Sequence, residues 1–260
     1  MMTSENRIQI NLKQGDNNYI GWVKELIDSI PFSSVLDVGC GTGELLSLYT
    51  EKENIIDIFG VDSDKKNLDV AKKKLPSNVR LINTKMEKMF SNPEILYKGE
   101  GCKRYFDLIS CFYSLYYSKD INRTIAEIMQ HITSNGVFLV VGSYGDTNKN
   151  FFDLIERYRP LPSLVKESCS TFMHTILPIL GDYGVVSERN FENHITFLDV
   201  GSIMGYYKNT LFYDADVGRL VESELSHYFN VNKSYVLTKK VKAYIVKPWF
   251  SGEDVGCLGV

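Results

Sequence analysis

Three groups of residues in this 260-residue chain have types and spacings that could do chemistry. The first is Asp37, Gly39, Cys40, Gly41, Thr42 and Gly43, which follow directly on the apolar Val35 and Leu36. Glycines at two-residue steps let the main chain approach a ligand that a Cβ would repel. A turn of this kind between a strand and a helix aims backbone N–H groups into a crevice at the carboxyl edge of a parallel sheet. The second group is Asp62, with Ser63, at the end of the next apolar run, where a carboxylate can accept hydrogen bonds from both hydroxyls of a ribose. The third is the aromatic set Phe112, Tyr113, Tyr116 and Tyr117, whose ring faces suit a cation. A tight turn, a surface carboxylate and ordinary ring packing would explain each group taken alone. Their joint placement is what points to a ligand site. A nicotinamide site is disfavoured because Glu44 stands where G-x-G-x-x-G needs its third glycine.

The other reactive residue types add little. His131, His174, His194 and His227 could each serve as a base, and His174 and His194 rank first because they fall in the segment expected to cover the site. The five cysteines, Cys40, Cys102, Cys111, Cys169 and Cys257, are scattered, odd in number and without zinc-ligand spacing, so no metal site is expected and a reduced, cytoplasmic setting fits. A net charge of −3 and a pI near 5.9 argue against a phosphate-tracking surface for nucleic acid and favour a small-molecule partner. No apolar run reaches the roughly 18 residues that a membrane span requires, and no signal peptide can be drawn at the start. Oligomeric state is left open.

The elements that must position these residues alternate. Tyr19 to Ile30 carries apolar residues at helical spacing up to Pro31. Strands are expected over 34–38, 55–61, 79–82, 106–111 and 136–141, with helices over 44–49, 65–75 and 121–132 between them and a polar insertion around 92–104. This order implies a Rossmann-like α/β fold with a doubly wound, mostly parallel sheet. After Gly145 the pattern becomes mainly helical, over 151–158, 163–180, 202–207 and 215–229, with 185–197 extended. Tyr235 to Lys247 reads as a last, antiparallel strand. The expected organisation is a lid helix over 1–30, a core of 31–145 plus 231–248, a substrate-binding cap over 146–230 and a loose glycine-containing tail over 249–260.

The run Val35-Leu36-Asp37-Val38-Gly39-Cys40-Gly41-Thr42-Gly43-Glu44, followed by Asp62, resembles the first motif of class I S-adenosylmethionine-dependent methyltransferases. The resemblance implies that Asp37 and the loop glycines surround the methionine moiety and that Asp62 holds the ribose. It extends over about 31–145. Where that family often has an acid after the third strand, near the adenine amine, this chain has Lys85, so adenine is assigned to Met86 and its backbone N–H, with Glu87 nearby.

The segment from Tyr105 to Asp120, including Leu115-Tyr116-Tyr117 and Lys119-Asp120, resembles the fourth-strand region of histamine N-methyltransferase-like enzymes. That resemblance implies Phe112 against the cofactor and Tyr113, Tyr116 and Tyr117 against an amine substrate, although the relatives carry an amide side chain where Tyr113 stands. Tyr19 and Tyr144 complete the expected substrate set, and Tyr113, Tyr117 and His174 are the expected catalytic residues. Phe172, Tyr206, Tyr207, Phe212 and Tyr213 could form an aromatic lid that excludes water, with helix packing the plainer role for most of them. The expected reaction is in-line methyl transfer to a small molecule, an amine by preference. Two alternatives stay open: a cyclase or lyase that releases methylthioadenosine, and a non-catalytic cofactor-binding module. A nucleic-acid methyltransferase is disfavoured by the absence of an Asn-Pro-Pro-aromatic tetrapeptide.

Overall fold

The computed structural model describes residues 14–97 and 103–249. Cys102, Cys257, the start of the expected lid and the tail from 250 lie outside the described residues.

Seven strands form one sheet in the order β3-β2-β1-β4-β5-β7-β6. They are β1 Ser34–Val38, β2 Asp57–Asp62, β3 Val79–Asn83, β4 Phe106–Phe112, β5 Ile132–Ser143, β6 Gly184–Phe197 and β7 Tyr235–Pro248. β3, β2, β1, β4 and β5 pair in parallel, β7 is antiparallel, and helices flank the sheet. Chain order reverses between β1 and β4, so the crevice at their carboxyl ends is the topological switch point at which ligands of such sheets bind. The last four positions of β1, Val35 to Val38, are buried, so both faces of the strand are covered and it reads as a nearly continuous apolar run.

The chain divides into two compact units, one of Met1–Trp22, Ser143–Cys169 and Asn190–Val241, the other of Val23–Gly142, Ser170–Arg189 and Lys242–Val260. The second holds β1 to β4 and most of β5. Its helices include α1 Tyr19–Asp28 from Val23 onward, α2 Leu46–Thr50, α3 Lys65–Lys74 and α5 Ile121–Met129, with a short α4 Pro93–Leu96 between β3 and β4. Asp64 starts α3 by accepting the Lys66 N–H, Asp120 starts α5 by accepting that of Arg123, and three lysines in the last turn of α3 suit its negative end. Leu68, Ala71 and Leu75 are the buried face of this lysine-rich segment.

The other unit has its own core. α6 Lys149–Glu156, α9 Val200–Lys208 and α10 Ala215–Val231 gather Phe151, Leu154, Ile203, Tyr207, Val221 and Leu225 around Ile195 of β6 and Leu237 of β7. The segment before α1 is tied to β6 within this unit by a Gly15–Ile195 bridge and by Asp16, which accepts the His194 backbone N–H at 2.7 Å.

Several boundaries differ from expectation. The fifth strand begins at Ile132, because Ile132 pairs with Phe106 and so leaves the helix that its apolar spacing suggested; α5 stops at Met129. The 163–180 helix is α7 Ser163–Thr171, a π turn Phe172–Ile176 and α8 Leu177–Tyr183. The extended 184–197 segment joins the main sheet outside β7, which makes β6 the edge strand and β7 an inner one. Within the polar 92–104 insertion, Ile95 is buried and Arg104 forms a buried ion pair with Asp57 at 2.5 Å.

Candidate functional site

The glycine loop begins where β1 ends. Gly39, Gly41 and Gly43 take φ of 80°, 56° and 84°, the left-handed region that costs glycine nothing. A Cβ on Gly39 would lie 2.3 Å from Ser114 Cβ, and one on Gly43 would lie 2.9 Å from Leu75 and 3.1 Å from Ala71, so these two glycines allow the segment after β4 and the C-terminal end of α3 to close on the loop. Gly41 has no atom within 4 Å of that position and leaves open space.

The loop's N–H groups are mostly spent inside the protein. Gly39 and Cys40 donate to the Val61 carbonyl at 2.7 and 2.9 Å, and Gly43 donates to that of Cys40 at 3.1 Å. Gly41 donates to Asp62 Oδ2 at 2.9 Å. The expectation that the loop aims N–H groups into the crevice is corrected accordingly for these four, which donate within the protein and close the turn.

Asp62 also accepts the Asp64 N–H at 2.7 Å and the Asn67 side-chain amide at 3.4 Å. Its backbone carbonyl receives Thr84 N–H at 3.2 Å and Asn83 Nδ2 at 3.0 Å, which fixes the end of β2 against the end of β3. Ser63 is exposed beside it. An ionised carboxylate has about four acceptor positions, so the three bonds it accepts leave capacity for a ribose hydroxyl.

Asp37 is buried in β1 and accepts Ser110 Oγ–H at 2.7 Å from β4; Ser110 in turn accepts the Tyr49 hydroxyl at 2.9 Å from α2. Burial raises the Asp37 carboxyl to about 7, the Ser110 hydroxyl pulls it down, and the Asp62 charge adds to the rise. The Cys40 and Cys111 thiols are pushed well up, first by burial and then by the nearby carboxylate charge, so neither is poised as a thiolate.

After β3, Lys85 is exposed, Met86 is half-buried, and Met89 and Phe90 of the 3₁₀ turn Met86–Ser91 are buried. Glu87 accepts the Lys119 N–H at 2.9 Å, and that bond holds its carboxyl below the usual range. It therefore latches this turn to the segment after β4. Phe112 is buried at the end of β4. Tyr113 follows in the left-handed region with φ of 52°, unusual for a bulky residue, and donates its N–H to Val141 at 2.8 Å. Tyr116 and Tyr117 pack at 4.9 Å, with Tyr117 about half exposed.

Asp37, Gly39, Cys40, Gly41, Gly43, Asp62, Ser63, Met86, Glu87, Phe112, Tyr113, Tyr116 and Tyr117 thus fall on strand ends or the loops that follow them, all in the second unit. His174 is exposed on the π turn of that unit. Tyr19 and Tyr144 belong to the other unit: Tyr19 packs on Trp22 and Phe191, and the Tyr144 N–H meets the Lys240 carbonyl at 3.2 Å. Tyr206 and Tyr207 are buried in that unit's core with Phe212 and Tyr213 packed half-buried about Tyr207, and Phe172 is buried in the second unit, stacked on Tyr244 at 4.7 Å. His131 stacks on Phe90 at 3.8 Å and His227 bonds the Ser223 carbonyl at 2.8 Å within its helix. Sequence reasoning missed Tyr49, Ser110, Ser114 and Asn83. A hydroxyl two residues before the end of β4 was the available signal for Ser110, but only strand register places it beside Asp37.

Comparison with known proteins agrees with this geometry. Residues 36–138 match the family described as a methyltransferase domain. The core has the class I methyltransferase fold. A putative methyltransferase from Bacillus halodurans superposes with a TM-score of 0.58 at 14% identity, over 89% of this chain and 100% of that one. The YcgJ protein of Bacillus subtilis gives 0.54 at 16% identity, over 88% and 97%. In sequence, the carboxy-S-adenosyl-L-methionine synthase of Campylobacter hominis is 28% identical over 111 residues, 42% of this chain and 43% of the relative. An uncharacterized protein of Haemophilus influenzae is 27% identical over 120 residues, 44% and 43%. The matches span less than half the length of these curated relatives. S-adenosylmethionine is the cofactor of such domains, and the residues present fit it: a loop with open space at Gly41, a carboxylate at the end of β2 and a buried acid at the switch point. Among the described residues no cluster of three metal-ligating side chains occurs and no helix is long and apolar enough to cross a membrane.

Proposed function

We propose that the protein is an S-adenosylmethionine-dependent methyltransferase acting on a small molecule, with an amine as the preferred acceptor. The observation that carries this reading is the clasp between Asp62 and Gly41, 2.9 Å, beside the β1–β4 switch point. When bound, the cofactor supplies an electrophilic methyl group on a sulfonium. Asp62 would hold the ribose, Gly41 would admit the ligand to the main chain, and Met86 and Phe112 would pack against the adenine end. Asp37 would face the methionine end. Tyr113, Tyr116 and Tyr117 would present ring faces and hydroxyls to a cationic or amine-bearing acceptor and orient it for in-line attack. Tyr113, Tyr117 and His174 are the groups proposed to steer the departing proton to water.

A second reading takes the cofactor itself as the molecule altered. It is favoured by the sequence likeness to the Campylobacter hominis carboxy-S-adenosyl-L-methionine synthase. Mass spectrometry of cofactor-derived products, after incubation with a panel of small amines and carboxylic acids, separates the two. Acceptor-dependent S-adenosylhomocysteine supports transfer. A carboxylated cofactor, or methylthioadenosine as the sole product, would sink it.

A further inference from the structure

Asp37 is an acid in an unusual position. It is 2% exposed, it sits at the switch point as the register partner of Ser110, and no ion pair answers its charge among the described residues. The titratable groups that face it are Tyr49 from α2, Cys111 from β4, Cys40 from the loop and Asp62 from the end of β2, with Glu44 beyond Cys40. None of these is a cation. Burial keeps the Tyr49 phenol and both thiols protonated and therefore neutral, while Asp62 opposes a second negative charge. An ionised carboxylate so placed is costly unless it is hydrogen-bonded and meets a positive charge.

The hydrogen bonds that do reach it have a direction. Tyr49 is fully buried, and its hydroxyl donates to Ser110 Oγ at 2.9 Å; its ring lies edge-on to Phe32 at 5.7 Å. A serine hydroxyl has one proton to give. With the Tyr49 proton occupying one lone pair of Ser110, the Ser110 proton points to Asp37 Oδ1 at 2.7 Å. The chain thus runs one way, from phenol to hydroxyl to carboxylate, and it favours the charged form of Asp37.

We propose that Tyr49 and Ser110 are positioning residues of the cofactor site: their hydroxyl chain holds the Asp37 carboxylate at the switch point as the counter-charge for the cationic amino-acid end of the ligand. This rests on the cofactor reading above and adds residues and a proton linkage to it. Because a cation favours ionised Asp37, ligand binding displaces a proton from the fraction of molecules in which Asp37 is neutral.

The test is calorimetric binding of S-adenosylhomocysteine to the whole chain between pH 5.5 and 8, in the parent protein, Tyr49→Phe and Ser110→Ala. With Asp37 titrating at about 7, affinity in the parent rises with pH, by up to about tenfold per unit, and levels above that value. Ser110→Ala moves the levelling to higher pH, so its deficit is largest at the acid end and narrows towards pH 8. Tyr49→Phe moves it the same way by less. A parent affinity that does not change with pH overturns the proposal while leaving the cofactor reading intact, and so do variants whose profiles run parallel to the parent. No binding at any pH removes the cofactor reading and this inference together. The parent profile decides the matter even if Ser110→Ala does not fold.

Discussion

Asp62 Oδ2 accepts the N–H of Gly41 at 2.9 Å, so the acid that ends β2 holds the loop that follows β1. One side chain thereby shapes the turn and keeps acceptor capacity for a ligand hydroxyl.

Asp62→Ala removes both contributions. S-adenosylhomocysteine affinity should fall about tenfold or more, since each lost hydrogen bond to a charged group is worth about 1.5–3 kcal/mol and 1.4 kcal/mol is a factor of ten. Asp62→Asn keeps an acceptor for one partner and should fall between the two. Calorimetry that returns an unchanged affinity for the alanine variant removes Asp62 from the site.

Gly39 and Ser114 form a second tight pair. Alanine at 39 would adopt φ near 80° and bring its Cβ 2.3 Å from that of Ser114. The backbone penalty is about 1–2 kcal/mol and the overlap adds to it. Gly39→Ala should therefore lower the denaturation midpoint and weaken cofactor binding. Ser114→Gly gives up the Ser114 hydroxyl bond to the Val38 carbonyl, 2.5 Å, but clears the space. The double variant should be destabilised by less than the sum of the two single changes. Strict additivity in urea melts would contradict the contact.

At the opposite edge of the sheet, Asp107 staples β4 to the start of β1. Its Oδ2 accepts the Ser33 N–H at 2.8 Å, the Ser33 hydroxyl at 2.7 Å and the Ser34 N–H at 3.0 Å, and its Oδ1 accepts the Thr133 hydroxyl at 3.1 Å. Burial works to raise the Asp107 carboxyl, but the Ser33 N–H and the Ser33, Ser34 and Thr133 hydroxyls outweigh it and hold it below the usual range. A carboxyl depressed in the folded state contributes stability that is present above its unfolded value, about 3.9, and is lost as pH falls through the folded value. Asp107→Asn should therefore cost about 1.5–3 kcal/mol at pH 7. The gap should narrow below about pH 4 as the parent loses the same contribution. Urea melts at pH 7 and pH 3 that show an equal gap would exclude the charged staple.

The sequence made the first half of the sheet legible because its signals are short-range. Val35, Leu36 and Val38 alternate with nothing polar except Asp37, the glycines follow at once, and Asp62 closes the next apolar run; each signal lies within a few residues of the last. The fold class and the glycine loop could be read on that basis. Ile132 shows where such reading stops. Its spacing continues the helical pattern of Ile121, Ile125 and Ile128, yet pairing with Phe106 draws it into β5. The aromatic residues Tyr206 and Tyr207 show a second limit, since a ring on an amphipathic helix carries the same signature whether it covers a ligand or fills a core, and here they fill a core against which Phe212 and Tyr213 pack half-buried.

What the sequence by itself determined is the strand–loop–helix unit around Asp37 to Gly43 and the acid at 62, because glycine torsions, caps and apolar runs act over one or two turns of chain. What the tertiary structure decided is which groups those residues meet. Gly41 and Asp62 are 21 residues apart, and Ser110 and Asp37 are 73 apart. Contacts across such distances are fixed by strand register, since a slip of one residue would turn Ser110 to the other face of the sheet and leave Asp37 without its donor.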